Sequence, residues 1–168
     1  MKRALQIYGL VLKLIGKIEL GIGIALLAGI VGCIFAQVFS RYGLGRPLKW
    51  VEELSTYFFI WATFVGASYA LKQARHIRIL SLVDPLPPLI KKCLAFFTWM
   101  GLIFFLVFGI IYGIRQMSLE AVQHTIALPI RLSRKYFYSI PFLFGCISML
   151  ITSIHLLLGE VDKLVGKT

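Results

Sequence analysis

Charged positions along this chain fall in clusters. Between the clusters lie four stretches that contain no Asp, Glu, Lys or Arg: Leu20–Ser40, Leu54–Leu71, Cys93–Ile114 and Tyr136–Gly159, of 21, 18, 22 and 24 residues. At 1.5 Å per residue, a helix of about 20 residues crosses a hydrocarbon core roughly 30 Å thick. Inside such a core a backbone N–H or C=O meets no water, so each must be paired within its own segment, and a helix does this. The pattern predicts an all-α integral membrane protein in one domain, residues 1–168, with four transmembrane helices at about 18–40, 51–71, 92–115 and 135–158.

Residues 1–17 show a different period. On a helical wheel Lys2, Gln6, Lys13 and Lys17 fall within about 60° of one another, with Gly9 and Gly16 beside them and Arg3 at the edge; Leu5, Leu10, Leu12 and Ile15 cover the rest. This spacing predicts an amphipathic helix lying in the headgroup plane and leading into the first span. Lys13, Lys17 and Glu19 stand where the apolar run of a signal peptide would continue.

Composition agrees with the pattern: 59% of residues are hydrophobic and 15% charged, against about 25% charged in soluble proteins. The net charge of +11 does not imply nucleic acid, because the basic residues sit at the ends of the apolar runs, where they anchor and orient a membrane protein. The N-terminal segment, the middle connection and the tail hold 11 Lys and Arg, and the first and third connections hold 7. The excess places both termini and the middle connection in the cytoplasm. Cys33, Cys93 and Cys146 fall in three different spans, which suits small packing residues and makes no disulfide or zinc pattern.

Small residues recur at fourfold spacing. Ala28, Gly32, Ala36 and Ser40 form one ladder on the first span, Gly21, Ala25, Gly29 and Cys33 a second, Ala62, Gly66 and Ala70 a third on the second span, and Gly109 and Gly113 a short one on the third span. Helices in lipid gain little by hydrophobic association, so close approach through small residues drives their packing. Two ladders on one helix hint at a second protein.

Candidate chemistry is sparse. Glu52 and Glu53 open the second span just after Trp50. Acidic groups suit a helix start, but adjacent like charges near a membrane want cations, and Arg41, Arg46 and Lys49 are close in sequence. A buried Glu paired with Arg or Lys at a subunit contact is the functional alternative to simple helix-start chemistry. After the second span comes Arg75-His76-Ile77-Arg78, whose arginines suit anionic lipid. The segment Asp84-Pro85-Leu86-Pro87-Pro88 then makes a rigid turn, and Thr125–Ile130 is extended or turn-like before Pro129. The histidines are not placed as a haem ligand pair, and the sequence has no catalytic triad, metal cluster or phosphate loop. Neither a mid-depth carboxylate nor a broken helix, the parts of a self-sufficient carrier, is present. No catalytic residue, cofactor or metal is expected.

Arg41-Tyr42, Trp50-Val51-Glu52-Glu53-Leu54, Trp61-Ala62-Thr63-Phe64-Val65-Gly66-Ala67 and His76-Ile77 together resemble the signature of the small membrane subunit (the DctQ-type or Q subunit) of tripartite ATP-independent periplasmic (TRAP) transporters. Thr125-x-Ala127-Leu128-x-Ile130 and Ile140-Pro141 are similar to that family's third connection and fourth span. Two departures stand out: Ala74-Arg75 precede the His-Ile pair where a Gly is common, and Arg78 follows it, with no acidic residue until Asp84.

The resemblance implies a non-catalytic subunit of the bacterial inner membrane that scaffolds a large membrane subunit. It would also help dock a periplasmic binding protein during sodium-driven uptake of an organic anion, of the sialic acid or C4-dicarboxylate type. On this expectation the large subunit is met by Arg41, Trp50, Glu52, Glu53, Gly66 and His76. The binding protein is met by Arg46, Lys49, Arg131, Arg134 and Lys135, charge steering favouring such a contact. The alternatives are a membrane anchor of a redox complex and a small self-assembling exporter with Glu19 as its coupling carboxylate.

Overall fold

The computed structural model describes residues 2–73 and 87–165. Among them are four α-helices: α1 (Lys2–Gly43), α2 (Lys49–Gln73), α3 (Pro88–Glu120) and α4 (Ser139–Val165), with a 3-10 turn at Arg134–Tyr136 ahead of α4. Four stretches are long and apolar enough to cross a membrane: Tyr8–Gly43, Lys49–Gln73 and Phe96–Glu120, within α1, α2 and α3, and Arg134–Gly159, which runs from the 3-10 turn into α4.

The expected amphipathic helix and the first span are a single element, since α1 runs without a break from Lys2 to Gly43. Nothing between residues 17 and 20 stops a helix. Glu19, the one charge there that would resist burial, is neutralised inside the fold (below). At 42 residues α1 is about 63 Å long, twice the hydrocarbon thickness.

The helix ends follow from local chemistry. Gly45 takes φ +66°, the left-handed conformation a side chain resists. This lets the amides of Leu44 and Arg46 return to the carbonyl of Ser40, while the Ser40 hydroxyl donates to the Arg46 carbonyl. At the start of α3, Pro88 follows Pro87 (φ −57°, ψ 148°); a proline in the first turn lacks only an N–H that has no helical partner anyway.

In space the order is α1, α2, α4, α3, because α2 lies between α1 and α4, and α3 packs on α4. The layer is drawn together where glycines permit it. A Cβ on Gly113 would come within 2.8 Å of Leu143 and Phe142, and one on Gly109 within 3.5 Å of the buried Cys146 Sγ. These are the expected packing roles of the Gly109/Gly113 ladder and of Cys146. A Cβ on Gly29 would lie 3.0 Å from the Phe58 ring, and one on Gly145 would lie 3.0 and 3.2 Å from Cβ and the carbonyl oxygen of Phe64. By contrast a Cβ on Gly21, Gly32 or Gly66 would meet no other element within 4 Å. Of the two α1 ladders, the one containing Gly29 is thus used at that residue within the chain, while Ala28, Gly32 and Ala36 of the other are exposed.

Gly145→Val should lower the thermal unfolding midpoint in detergent by an amount equivalent to about 1–3 kcal/mol, since Phe64 opposes it with backbone that cannot turn aside. Gly32→Val, with the same change in helix propensity, should not. Equal midpoints would mean that α2 and α4 do not cross at Gly145.

Candidate functional site

Two polar clusters hold the layer, one toward each end of α2. The first starts from Glu19 on α1, a carboxylate 1% exposed in a segment otherwise apolar. Lys72 on α2 reaches it, with Nζ 2.7 Å from both Oε1 and Oε2. An ammonium has three protons to place. Here the remaining acceptors are Ser68 Oγ, one turn earlier on α2 at 2.9 Å, and Ser148 Oγ on α4 at 2.7 Å. Both serine hydroxyls in turn donate to Glu19 Oε1, at 2.9 and 2.7 Å. Carboxylate, ammonium and two hydroxyls thereby satisfy one another across three helices. The pair is withdrawn from solvent, the side chains being 7% and 1% exposed. Desolvation makes such a pair dependent on every one of these bonds.

The second cluster starts from Glu53, in the first turns of α2. Its Oε1 accepts the amide of Ile126 at 3.0 Å and the hydroxyl of Tyr57 one turn later. Its Oε2 accepts the amides of Ala127 and Leu128 at 2.7 and 2.8 Å. Three successive amides turned onto one carboxylate leave the connection between α3 and α4 with no freedom to be helical there, as Pro129 already requires. Thr125 closes the same loop from inside: its amide donates to the carbonyl of Leu132 at 2.9 Å and its hydroxyl to that of Ile130 at 2.8 Å. Tyr57, 1% exposed, stacks on Phe137 with ring centroids 4.0 Å apart and meets Tyr138 edge-on at 5.8 Å.

The residues singled out from the sequence separate on this geometry. Glu53 is engaged within the chain, by amides and a phenol rather than by the arginines nearby in sequence. Glu52 is exposed, and Gln37 Nε2 of α1 is 3.4 Å from its Oε2. Arg41 is exposed with its guanidinium 5.9 Å from the Tyr42 ring; Trp50 is exposed and Gly66 is open. His76 lies outside the described residues. Arg46, Lys49, Arg131, Arg134 and Lys135 gather at the Glu53 end, where the first and third connections lie. Arg46, Lys49 and Arg131 are exposed. Arg134 is bound to Gln123 Oε1 (3.3 Å) and Tyr138 (3.4 Å), and Lys135 lies 5.2 Å over the Tyr136 ring. Among the described residues no group of three His, Cys, Asp or Glu could hold a metal ion.

Sequence reasoning missed Lys72, Ser68 and Ser148 as partners of Glu19, and Tyr57 as a partner of Glu53. A signal for the first was available: Ser68 and Lys72 share a helix face, and Glu19 and Lys72 stand 24 and 23 residues from the two helix ends that flank the first connection.

Residues 30–162, most of the chain, match the family described as tripartite ATP-independent periplasmic transporters, DctQ component. The chain belongs to this DctQ family. The family is a component of transporters rather than a family of enzymes. It is similar to the ectoine TRAP transporter small permease protein TeaB of Halomonas elongata, with 26% identity over 168 aligned residues that cover 96% of this chain and 81% of TeaB. With the sialic acid TRAP transporter small permease protein SiaQ of Vibrio cholerae the identity is 33% over 75 residues, 45% of this chain and 43% of SiaQ. With the sialic acid TRAP transporter permease protein SiaT of Haemophilus influenzae it is 34% over 108 residues, 64% of this chain but 17% of SiaT. Matches to SiaQ and SiaT thus span less than half of each relative. In this DctQ chain both polar clusters act on helix packing and loop placement.

Glu53→Gln should destabilise the fold by about 3 kcal/mol, because its NH2 would face amides that need an acceptor and each stranded group costs about 1–3 kcal/mol. Hydrogen exchange at Ile126, Ala127 and Leu128 should rise with it, while Glu52→Ala stays within about 0.5 kcal/mol of the parent. Unchanged exchange at the three amides would disprove the clamp. At the other cluster, Glu19→Ala should cost about 3–5 kcal/mol by stranding Lys72, and Glu19→Leu with Lys72→Leu should recover most of it. A double variant as unstable as the single one would show that the stranded charge is not the cause.

Proposed function

We propose that the chain is the small permease subunit that buttresses the large membrane subunit of a TRAP transporter and helps a periplasmic binding protein dock during sodium-driven uptake of an organic anion. One observation carries this reading. The sequence similar to this chain within SiaT makes up 17% of that permease protein, so in that relative a segment of this kind is carried within a much longer permease polypeptide. A separate chain of the same type fits a lasting association with a larger membrane subunit.

The geometry supports a supporting role. Glu19, Ser68, Lys72, Ser148 and Glu53 are spent on holding α1, α2, α4 and the third connection together. The exposed Ala28, Gly32 and Ala36 of α1 allow close approach by another helix. The large subunit would meet this face together with Arg41, Trp50, Glu52 and Gly66, and His76 remains a candidate beyond the described residues. Glu53 would contribute through the loop it fixes. With both termini in the cytoplasm of a bacterial inner membrane, the end held by Glu53 faces the periplasm, and Arg46, Lys49, Arg131, Arg134 and Lys135 present a basic surface to the binding protein. Relatives named for sialic acid and for ectoine have a small permease protein of this type, which fits a subunit that supports transport without choosing the solute.

The test is a mild-detergent pull-down of the tagged chain from its native membranes, with mass spectrometry of what accompanies it. A multi-span partner in about equal amount is expected, and Gly32→Leu should reduce its recovery several-fold while the chain keeps its own thermal midpoint. Recovery of the chain alone would overturn the reading, and full recovery with Gly32→Leu would remove α1 from the interface.

A further inference from the structure

At the end of the layer opposite Glu53 lies a cavity of about 1080 Å³ between the N-terminal part of α1, the last turns of α2 and the last turns of α4. Its polar wall carries Lys13, Lys17, Lys72, Tyr69, Gln73 and His155, and Leu12, Leu20 and Leu156 add an apolar wall. No carboxylate is among its lining residues within the described part of the chain. Lys72 is neutralised by Glu19, whereas Lys13 and Lys17 are exposed and form no salt bridge among the described residues. Gly9 and Gly16 open the space on the α1 side, Gly9 lying against His155 Nε2 and Gly16 against Lys72 and Tyr69.

Depth decides what such a cavity would hold. Lys17 and Lys13 precede Gly43, the end of α1, by a rise of about 39 and 45 Å. A bilayer with its headgroup regions is about 40–45 Å thick. With Gly43 at one interface, the two lysines stand among the headgroups of the other. Gly9, Lys13, Gly16 and Lys17 of the amphipathic face read from the sequence thus line a recess between three helices.

We propose that this cavity binds the phosphate of an anionic phospholipid, with Lys13 and Lys17 pairing with the charge, Tyr69 and Gln73 within the same wall as hydrogen-bond donors, and the leucines receiving the start of an acyl chain. The proposal stands whether or not the chain works in a TRAP transporter. Free phosphate offers the same charge without the apolar part, so the experiment separates the two sources.

The full-length chain in mild detergent is titrated with phosphatidylglycerol, phosphatidylcholine or glycerol phosphate, and bound lipid is counted by native mass spectrometry. Phosphatidylglycerol should bind in preference to phosphatidylcholine. Lys13→Gln with Lys17→Gln should weaken it roughly thirtyfold, at about a tenfold change per 1.4 kcal/mol and about 1 kcal/mol per lysine. Lys13→Arg with Lys17→Arg should largely retain it. Gly16→Leu, which fills the recess but keeps both charges, should weaken it too. Equal binding of the two lipids, or no loss in the glutamine variant, overturns the proposal. Full binding in Gly16→Leu would reduce it to surface attraction and overturns it as well. Displacement of the lipid by millimolar glycerol phosphate would assign the site to a soluble phosphate and overturn the lipid assignment.

Discussion

A carboxylate and an ammonium placed at the edge of the hydrocarbon have no water to fall back on, and the arrangement of this chain depends on Glu19 and Lys72 finding each other there. A well-packed apolar contact could hold the helices as firmly, since desolvation consumes most of what a buried pair gains. What the pair supplies is register. A slip of one helical turn, about 5.4 Å, would separate charges now 2.7 Å apart and strand both, at a cost of several kcal/mol. Because Ser68 and Ser148 complete the pairing, the same penalty fixes α4 against α1 and α2. Long apolar helices can slide on one another with little change in buried area; these cannot.

Glu53 applies the same logic to a different partner. Its charge lies near loop amides rather than a cation, and four donors disperse it. Charge-assisted bonds of this kind are stronger than neutral ones, and here they order residues 126–128, which belong to neither helix nor strand. Both clusters are built on α2, Glu53 near its first residue and Lys72 near its last. α2 therefore sets the position of α1 and α4 at one end and of the α3–α4 connection at the other. The glycine contacts fill in between: Gly29 on Phe58 and Gly145 on Phe64 bring α1 and α4 onto the two flanks of α2.

The helices were legible because hydrocarbon imposes one rule on every residue of a span, and a run without charge displays that rule directly. The Gly109/Gly113 ladder was legible for a similar reason: only a small residue allows that approach, so its spacing reveals a face. The pairing of Glu19 with Lys72 was not read, because depth must be counted from two helix ends at once, and the span edge hid how deeply Glu19 is enclosed. Glu53 was singled out as a residue needing compensation, but sequence proximity pointed to arginines. The amides that compensate it are more than seventy residues away, and amides carry no sequence signature.

Two satisfied clusters also explain what is left unsatisfied. Lys72 is paired with Glu19, but Lys13 and Lys17, six and two residues before Glu19 on α1, face a recess with no carboxylate among its described lining residues. Hydrocarbon would forbid that arrangement; a layer of phosphates favours it, since juxtamembrane cations gain from anionic lipid. The long α1 thus crosses two environments with opposite demands, and its sequence changes where they meet. Up to Lys17 its cations lie where lipid phosphates can compensate them, and from Glu19 onward the one charge before Arg41 must be compensated by the protein itself. The position of Glu19 marks the depth at which the solvent for charge changes from lipid headgroup to neighbouring helix.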